Sequence, residues 1–88
     1  MKKITLSGIV GLDITPAAFS KALEEARGDS IAVEIASPGG SVFDGTQIFN
    51  NLREHRRKYP GARIEATITG VAASMASYIA CCPAFDTV

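Results

Sequence analysis

The sequence predicts an α/β fold, a βαβαβα layer built on a mainly parallel sheet. Three observations carry that expectation. Alternating or β-branched apolar segments occupy residues 2–7, 31–35 and 64–68, stretches with helical spacing lie between them, and cap or breaker residues mark the joints. Strands joined through helices of this length pair in parallel through right-handed crossovers. The 88 residues are enough for one small domain and too few for two. Residues 1–88 are therefore read as part of a single domain.

Each element has its own local reason. Residues 2–7 alternate around Ile4 and Leu6, as a half-buried strand does. Thr15-Pro16 opens a helix, with Thr at the N-cap and Pro at the first helical position. Phe19, Ala22, Leu23 and Ala26 recur at helical spacing, and Gly28 closes the segment. Ile31 to Ile35 forms the second strand, which a glycine turn at Ser37-Pro38-Gly39-Gly40-Ser41 ends. From Val42 to about Lys58 the helical spacing returns through Gly45, Ile48, Phe49 and Leu52, until Tyr59-Pro60-Gly61 stops it. The third strand covers residues 64–68, a third helix runs over 74–81, and residues 85–88 begin a further strand.

Composition excludes several classes of function. Nine basic and nine acidic side chains cancel, leaving no electrostatic footprint for nucleic acid or anionic lipid. Arg53, Arg56, Arg57 and Lys58 fall at a helix end, where cations offset the dipole. The apolar run behind Lys2-Lys3 is too short and polar for a signal peptide. The longest apolar stretch, 71–82, falls far below the ~20 residues that span a bilayer, so the expectation is a soluble, cytoplasmic protein. Cys81 and Cys82 lack a partner at metal-ligand spacing and read as small buried hydrophobes. No metal or other cofactor is expected.

In a parallel sheet the working surface lies beyond the carboxyl ends of the strands. Two strand-to-helix turns meet there. In Ser37-Pro38-Gly39-Gly40-Ser41, amides without side chains can approach an anion or a developing oxyanion. The Walker and dinucleotide glycine patterns are both absent. In Gly70-Val71-Ala72-Ala73-Ser74, small residues permit a sharp bend that leaves a hydroxyl near a helix N-terminus. That is the logic of a nucleophile elbow, although Gly-x-Ser-x-Gly is not matched; the plainer role for Ser74 is a helix cap. Ser77, one turn further in, reads as packing. If the two turns share one sheet edge, the Gly40 and Met75 amides can converge beside Ser74 Oγ. A nucleophile, two oxyanion donors and an open strand edge make an acyl-transfer site for an extended peptide.

These motifs resemble the ClpP family, and within it the phage-encoded, prohead-maturation-like branch. The likeness is carried by Ser37-Pro38-Gly39-Gly40-Ser41-Val42-Phe43-Asp44-Gly45, by Ile48-Phe49-Asn50-Asn51-Leu52, and by Gly70-Val71-Ala72-Ala73-Ser74-Met75-Ala76-Ser77. The opening Gly8-Ile9-Val10-Gly11-Leu12-Asp13-Ile14-Thr15 also looks like that branch. The resemblance implies a ClpP/crotonase-like layer, incomplete at its C-terminus, and a serine endopeptidase. Ser74 is then the nucleophile, Gly40 and Met75 give the oxyanion-hole amides, and Gly39, Gly40 and Ser41 border the peptide groove. It further implies polypeptide substrates, a homo-oligomeric ring, and an ATP-dependent unfoldase or phage capsid and scaffold proteins as partners. Where the family usually has Asn before Ser37, this chain has Ala36. Past Ile79, Cys81-Cys82-Pro83-Ala84-Phe85 replaces the usual glycine-containing turn.

A serine hydroxyl needs a general base. The one histidine, His55, falls about twelve residues into the second helix, roughly 17 Å along its axis. It therefore reads as a surface or interface residue out of reach of Ser74. By the resemblance, the catalytic His and Asp both lie beyond Val88, so the expectation is a truncated chain with little turnover of its own. Two other readings stand beside the peptidase. One is a crotonase-type acyl-CoA enzyme, which does not need the serine; the other is an inactive ring or capsid-assembly relative. Membrane-linked signal-peptide peptidases are disfavoured by the lack of a spanning segment.

Overall fold

The computed structural model describes residues 2–86. Six elements alternate in the expected order: β1 (Lys2–Val10), α1 (Pro16–Ala26), β2 (Ile31–Gly40), α2 (Val42–Lys58), β3 (Ile64–Ala72) and α3 (Met75–Ala80). The strands form one parallel sheet in the order β1-β2-β3. The central strand buries alternate residues, Ile31, Val33, Ile35 and Ser37. The helices cover that face, and Phe19, Leu23, Ile48, Leu52 and Ile79 complete the core.

Local signals account for the helix boundaries. Thr15 Oγ1 accepts from the Ala18 amide at 3.3 Å, with Pro16 at the first helical position. Arg27, at φ 49°, makes the left-handed C-cap of α1, one residue before the expected Gly28. Ser41 Oγ caps α2 by accepting from the Asp44 amide at 3.2 Å.

All three strands run further than the sequence expectation, β1 to Val10 rather than residue 7, and the extensions of β2 and β3 build the site. β2 does not turn at Ser37; it runs through Gly40, pairing Gly39 with Ile9 and Gly40 with Val10. The glycines allow this because they hold φ +114° and +145°. A side chain on Gly40 would fall on the Val10 backbone. β3 likewise runs on to Ala72, with a register shift that brings Ala72 opposite Ser37. Such irregularities re-aim the chain at the end of a strand.

At the far end, Phe85 is buried and forms no strand, while residues 87–88 lie outside the described residues. The Asp86 amide donates to Ile64 O and its carboxylate accepts from the Ile64 amide, both at 2.7 Å. Arg56 locks this segment down through the Ala84 carbonyl (3.0 Å) and the Asp86 carboxylate (2.8 Å). Arg56 keeps its expected place in the last turn of α2 and serves as a tertiary clamp as well. Of the two cysteines, Cys82 is buried as expected, whereas Cys81 is exposed.

His55 is buried rather than on the surface, at 7% exposure. α1 packs over that turn of α2, and the Tyr59 ring lies 5.0 Å away. A groove of about 490 Å³ runs beside it, lined by Glu24 and Arg27 from one side and Glu54 and Lys58 from the other. Its Nε2 is buried without a hydrogen-bond partner. Burial, with the Arg56 and Lys58 charges behind it, lowers its pKa below the ordinary 6.5. The folded state thus resists protonation that the unfolded chain accepts. Stability is complete above pH 6.5 and falls as pH drops below it, until the lowered folded pKa is passed. Urea midpoints of the chain between pH 7.5 and 5 should decline, and His55→Leu should flatten that slope; equal slopes in the two proteins would remove His55 as the cause.

Candidate active site

The site forms where β2 and β3 end beside the start of α3. Ser37 holds the two strand ends together. Its carbonyl accepts from the Ala73 amide at 3.1 Å, and its fully buried hydroxyl accepts from the Gly39 amide at 3.1 Å. Sequence reading placed Ser37 in the glycine motif but gave its hydroxyl no task. A serine directly before Pro-Gly-Gly is the signal for one, since a short side-chain oxygen readily accepts from the amide two residues on.

Ser74 follows β3 with φ 53° and ψ −124°, and its hydroxyl makes no capping bond to α3. The capping role therefore falls away. Non-glycine residues rarely occupy this region, and holding one there costs on the order of 1–3 kcal/mol. Besides Ser74, Arg27 is the one other non-glycine residue with positive φ among those described. The Ser74 side chain is exposed. Small neighbours make the bend possible, Ala72 and Ala73 before it and Ala76 after it.

Gly39 lies directly against this serine. A Cβ on Gly39 would sit 2.6 Å from Ser74 Cβ and 3.2 Å from Ser74 Oγ. The Gly40 nitrogen is two bonds beyond the Gly39 Cα, so covalent geometry bounds it within about 7 Å of Ser74 Oγ. On the other side of the serine, Met75 begins α3. A first-turn amide has no intrahelical acceptor, and among the described residues nothing else accepts from it. Ser41, which the sequence placed along the groove, has its hydroxyl committed to the α2 cap and its amide to Val10 O at 2.8 Å. Ser77 is exposed, not packed, because the buried face of α3 falls on Met75, Ala76, Ile79 and Ala80.

The structure thus brings Ser74, Gly39, Gly40 and Met75 into one place and leaves His55 out of it. His55 sits in the last turn of α2, while the first turn of that helix begins beside Gly40. Among the described residues no three His, Cys, Asp or Glu side chains are grouped to hold a metal ion. No helix among them is long and apolar enough to cross a membrane.

Comparison with known proteins gives the architecture a lineage. The chain superimposes on a ClpP1 point mutant from Listeria monocytogenes with a TM-score of 0.71 at 23% identity, covering 89% of this chain and 44% of that one. Against the ClpP protease catalytic domain from Plasmodium falciparum the TM-score is 0.74 at 26% identity, covering 89% of this chain and 43% of that one. The chain therefore spans less than half the length of either protein. No curated protein sequence matches it significantly. The family model for Clp protease matches residues 13–86, a span that takes in both strand ends and the bend between them, and the chain belongs to the Clp protease family.

Proposed function

We propose that this chain contributes the nucleophile and oxyanion hole of a serine peptidase that cleaves polypeptides. One observation carries the reading: Ser74 is held in a strained positive-φ conformation, exposed and uncapped, with Gly39 against it and the Met75 amide unspent. In the reaction Ser74 Oγ attacks the scissile carbonyl. The negative charge that develops on the carbonyl oxygen is met by the Met75 and Gly40 amides, each worth roughly 3 kcal/mol in the transition state. The Gly40 role is supported by its neighbours. The Gly39 amide is spent on Ser37 Oγ and the Ser41 amide on Val10 O, and successive amides of a strand face opposite sides. That alternation turns the Gly40 amide from β1 toward the Ser74 side. Gly39, Gly40 and Ser41 border the groove that receives the peptide.

His55 cannot serve as the base, being buried about 20 Å of helix away from the start of α2. In this reading the base and its orienting acid come from sequence outside these 88 residues. The likeness to ClpP proteins extends the proposal to a homo-oligomeric ring around the active sites. Phage capsid or scaffold proteins, or chains delivered by an ATP-dependent unfoldase, are the substrates that fit the motifs.

A fluorophosphonate probe tests this directly, because the serine oxygen displaces fluoride from phosphorus only when a base takes its proton. The full-length protein should label stoichiometrically at Ser74, and the 88-residue chain should label slowly or not at all. Rapid labelling of the short chain would place the base within it. An unlabelled, folded full-length protein would end the assignment of Ser74.

A further inference from the structure

Gly45 lies buried in the second turn of α2, and its backbone is ordinary helix rather than left-handed. Conformation therefore does not call for glycine there, and a glycine inside a helix weakens it relative to alanine. What calls for it is Met75. A Cβ at Gly45 would fall on the terminal methyl of Met75 and would sit 3.2 Å from its Cβ and 3.3 Å from its Cγ. The methyl can swing aside. The Cβ is bonded to the residue whose amide faces the candidate oxyanion site, and it cannot yield without that amide moving. One turn further along both helices the rings of Phe49 and Tyr78 stack at 4.5 Å. α2 is itself fixed by the Ser41 cap and by the burial of Ile48 and Leu52. α2 is thus a fixed surface against which the start of α3 rests.

We propose that Gly45 is a positioning residue whose missing side chain sets the depth of the Ser74–Met75 bend; this rests on the reading of Ser74 as the nucleophile. A methyl added at Gly45 pushes α3 outward at its first residue. The Met75 amide and Ser74 Oγ then lose their common focus, while the helix that carries the substitution becomes intrinsically better.

The test is a double-mutant cycle in the full-length protein, with Gly45→Ala, Met75→Gly and their combination. Peptide hydrolysis and urea midpoints are read for each, with Ser74→Ala as reference. In Gly45→Ala, kcat should fall roughly ten- to hundredfold with KM nearly unchanged and the urea midpoint equal or higher, since small displacements of a catalytic group cost that much. In the Met75→Gly background, where the Cβ that opposes the added methyl is gone as well, the same Gly45→Ala change should cost much less. A merely structural role would instead lower the midpoint and the activity together, with no relief from Met75→Gly, and would overturn the proposal. A Gly45→Ala enzyme with unchanged kcat, in a protein that Ser74→Ala inactivates, overturns it while sparing the nucleophile. Full activity in Ser74→Ala removes the nucleophile and this inference together.

Discussion

Replacing Ser74 with alanine in the full-length protein is expected to lower peptide hydrolysis by at least ~10³-fold, and replacing it with glycine should do the same while making the fold more stable. The activity loss follows from chemistry, because no other hydroxyl occupies the bend and the oxyanion amides alone retain only a small residue of catalysis. The stability arm follows from the backbone. Ser74 sits at φ 53°, ψ −124° without a capping bond to offset the strain. Alanine inherits that strain unchanged, so Ser74→Ala should unfold at nearly the wild-type urea concentration. Glycine adopts positive φ freely, and Ser74→Gly should gain about 1 kcal/mol, somewhat reduced by the greater freedom of its unfolded chain. The two measurements separate a reactive residue from a packing residue. A serine retained for packing would cost stability when removed, whereas one retained for reactivity is held at the expense of stability. A Ser74→Gly protein less stable than Ser74→Ala would contradict the strain, and turnover near the wild-type rate in both would point to a different nucleophile.

The order of elements was legible because each rests on a signal a few residues long. Thr15-Pro16 and the spacing of Phe19 and Leu23 are enough to place α1, and Ser41 with Ile48 and Leu52 is enough to place α2. The focus on Ser74 and the two glycines was legible for the same reason, since small residues before a serine and paired glycines before a helix are local patterns. What local patterns do not carry is pairing between distant strands. Pro38-Gly39-Gly40 reads as a turn within the sequence, yet Ile9 and Val10 lie across from Gly39 and Gly40 and turn that stretch into strand. His55 reads as a surface or interface residue, yet it stands seven residues past Ile48 and three past Leu52, on the buried stripe of α2. Gly45 and Met75 are thirty positions apart, and neither is unusual until the two helices are seen in contact. The clamp from Arg56 to Ala84 and Asp86 is of the same kind. His55 apart, each of these contacts joins residues far apart in sequence, where no periodicity records it.

Gly40→Ala is expected to be the most damaging single methyl that can be added to this chain. The position holds φ +145°, and the added carbon would meet the Val10 carbonyl oxygen as well as the Val10 nitrogen at 2.7 Å. Both obstacles are backbone atoms of a paired strand, so neither can turn away as a side chain does. Relief requires β1 and β2 to part at their ends, which breaks the Ser41-to-Val10 bond and with it the start of α2. The cost should be at least about 3 kcal/mol, a large share of the stability of so small a domain. Gly39→Ala forms the instructive contrast. There the added carbon meets Ser74 Cβ at 2.6 Å and the Ala73 carbonyl at 3.1 Å, and the bend that carries Ser74 is not paired on its far side in the way β1 is. Gly39→Ala should therefore lose less stability than Gly40→Ala, and its Ser74 should label with a fluorophosphonate at a rate well below wild type even where the protein is fully folded. Urea midpoints and labelling rates of the two variants, measured in the full-length protein, separate the two duties of this stretch. A Gly40→Ala protein as stable as Gly39→Ala would mean that β1 and β2 are not held at the close approach on which both the strand ends and the serine depend.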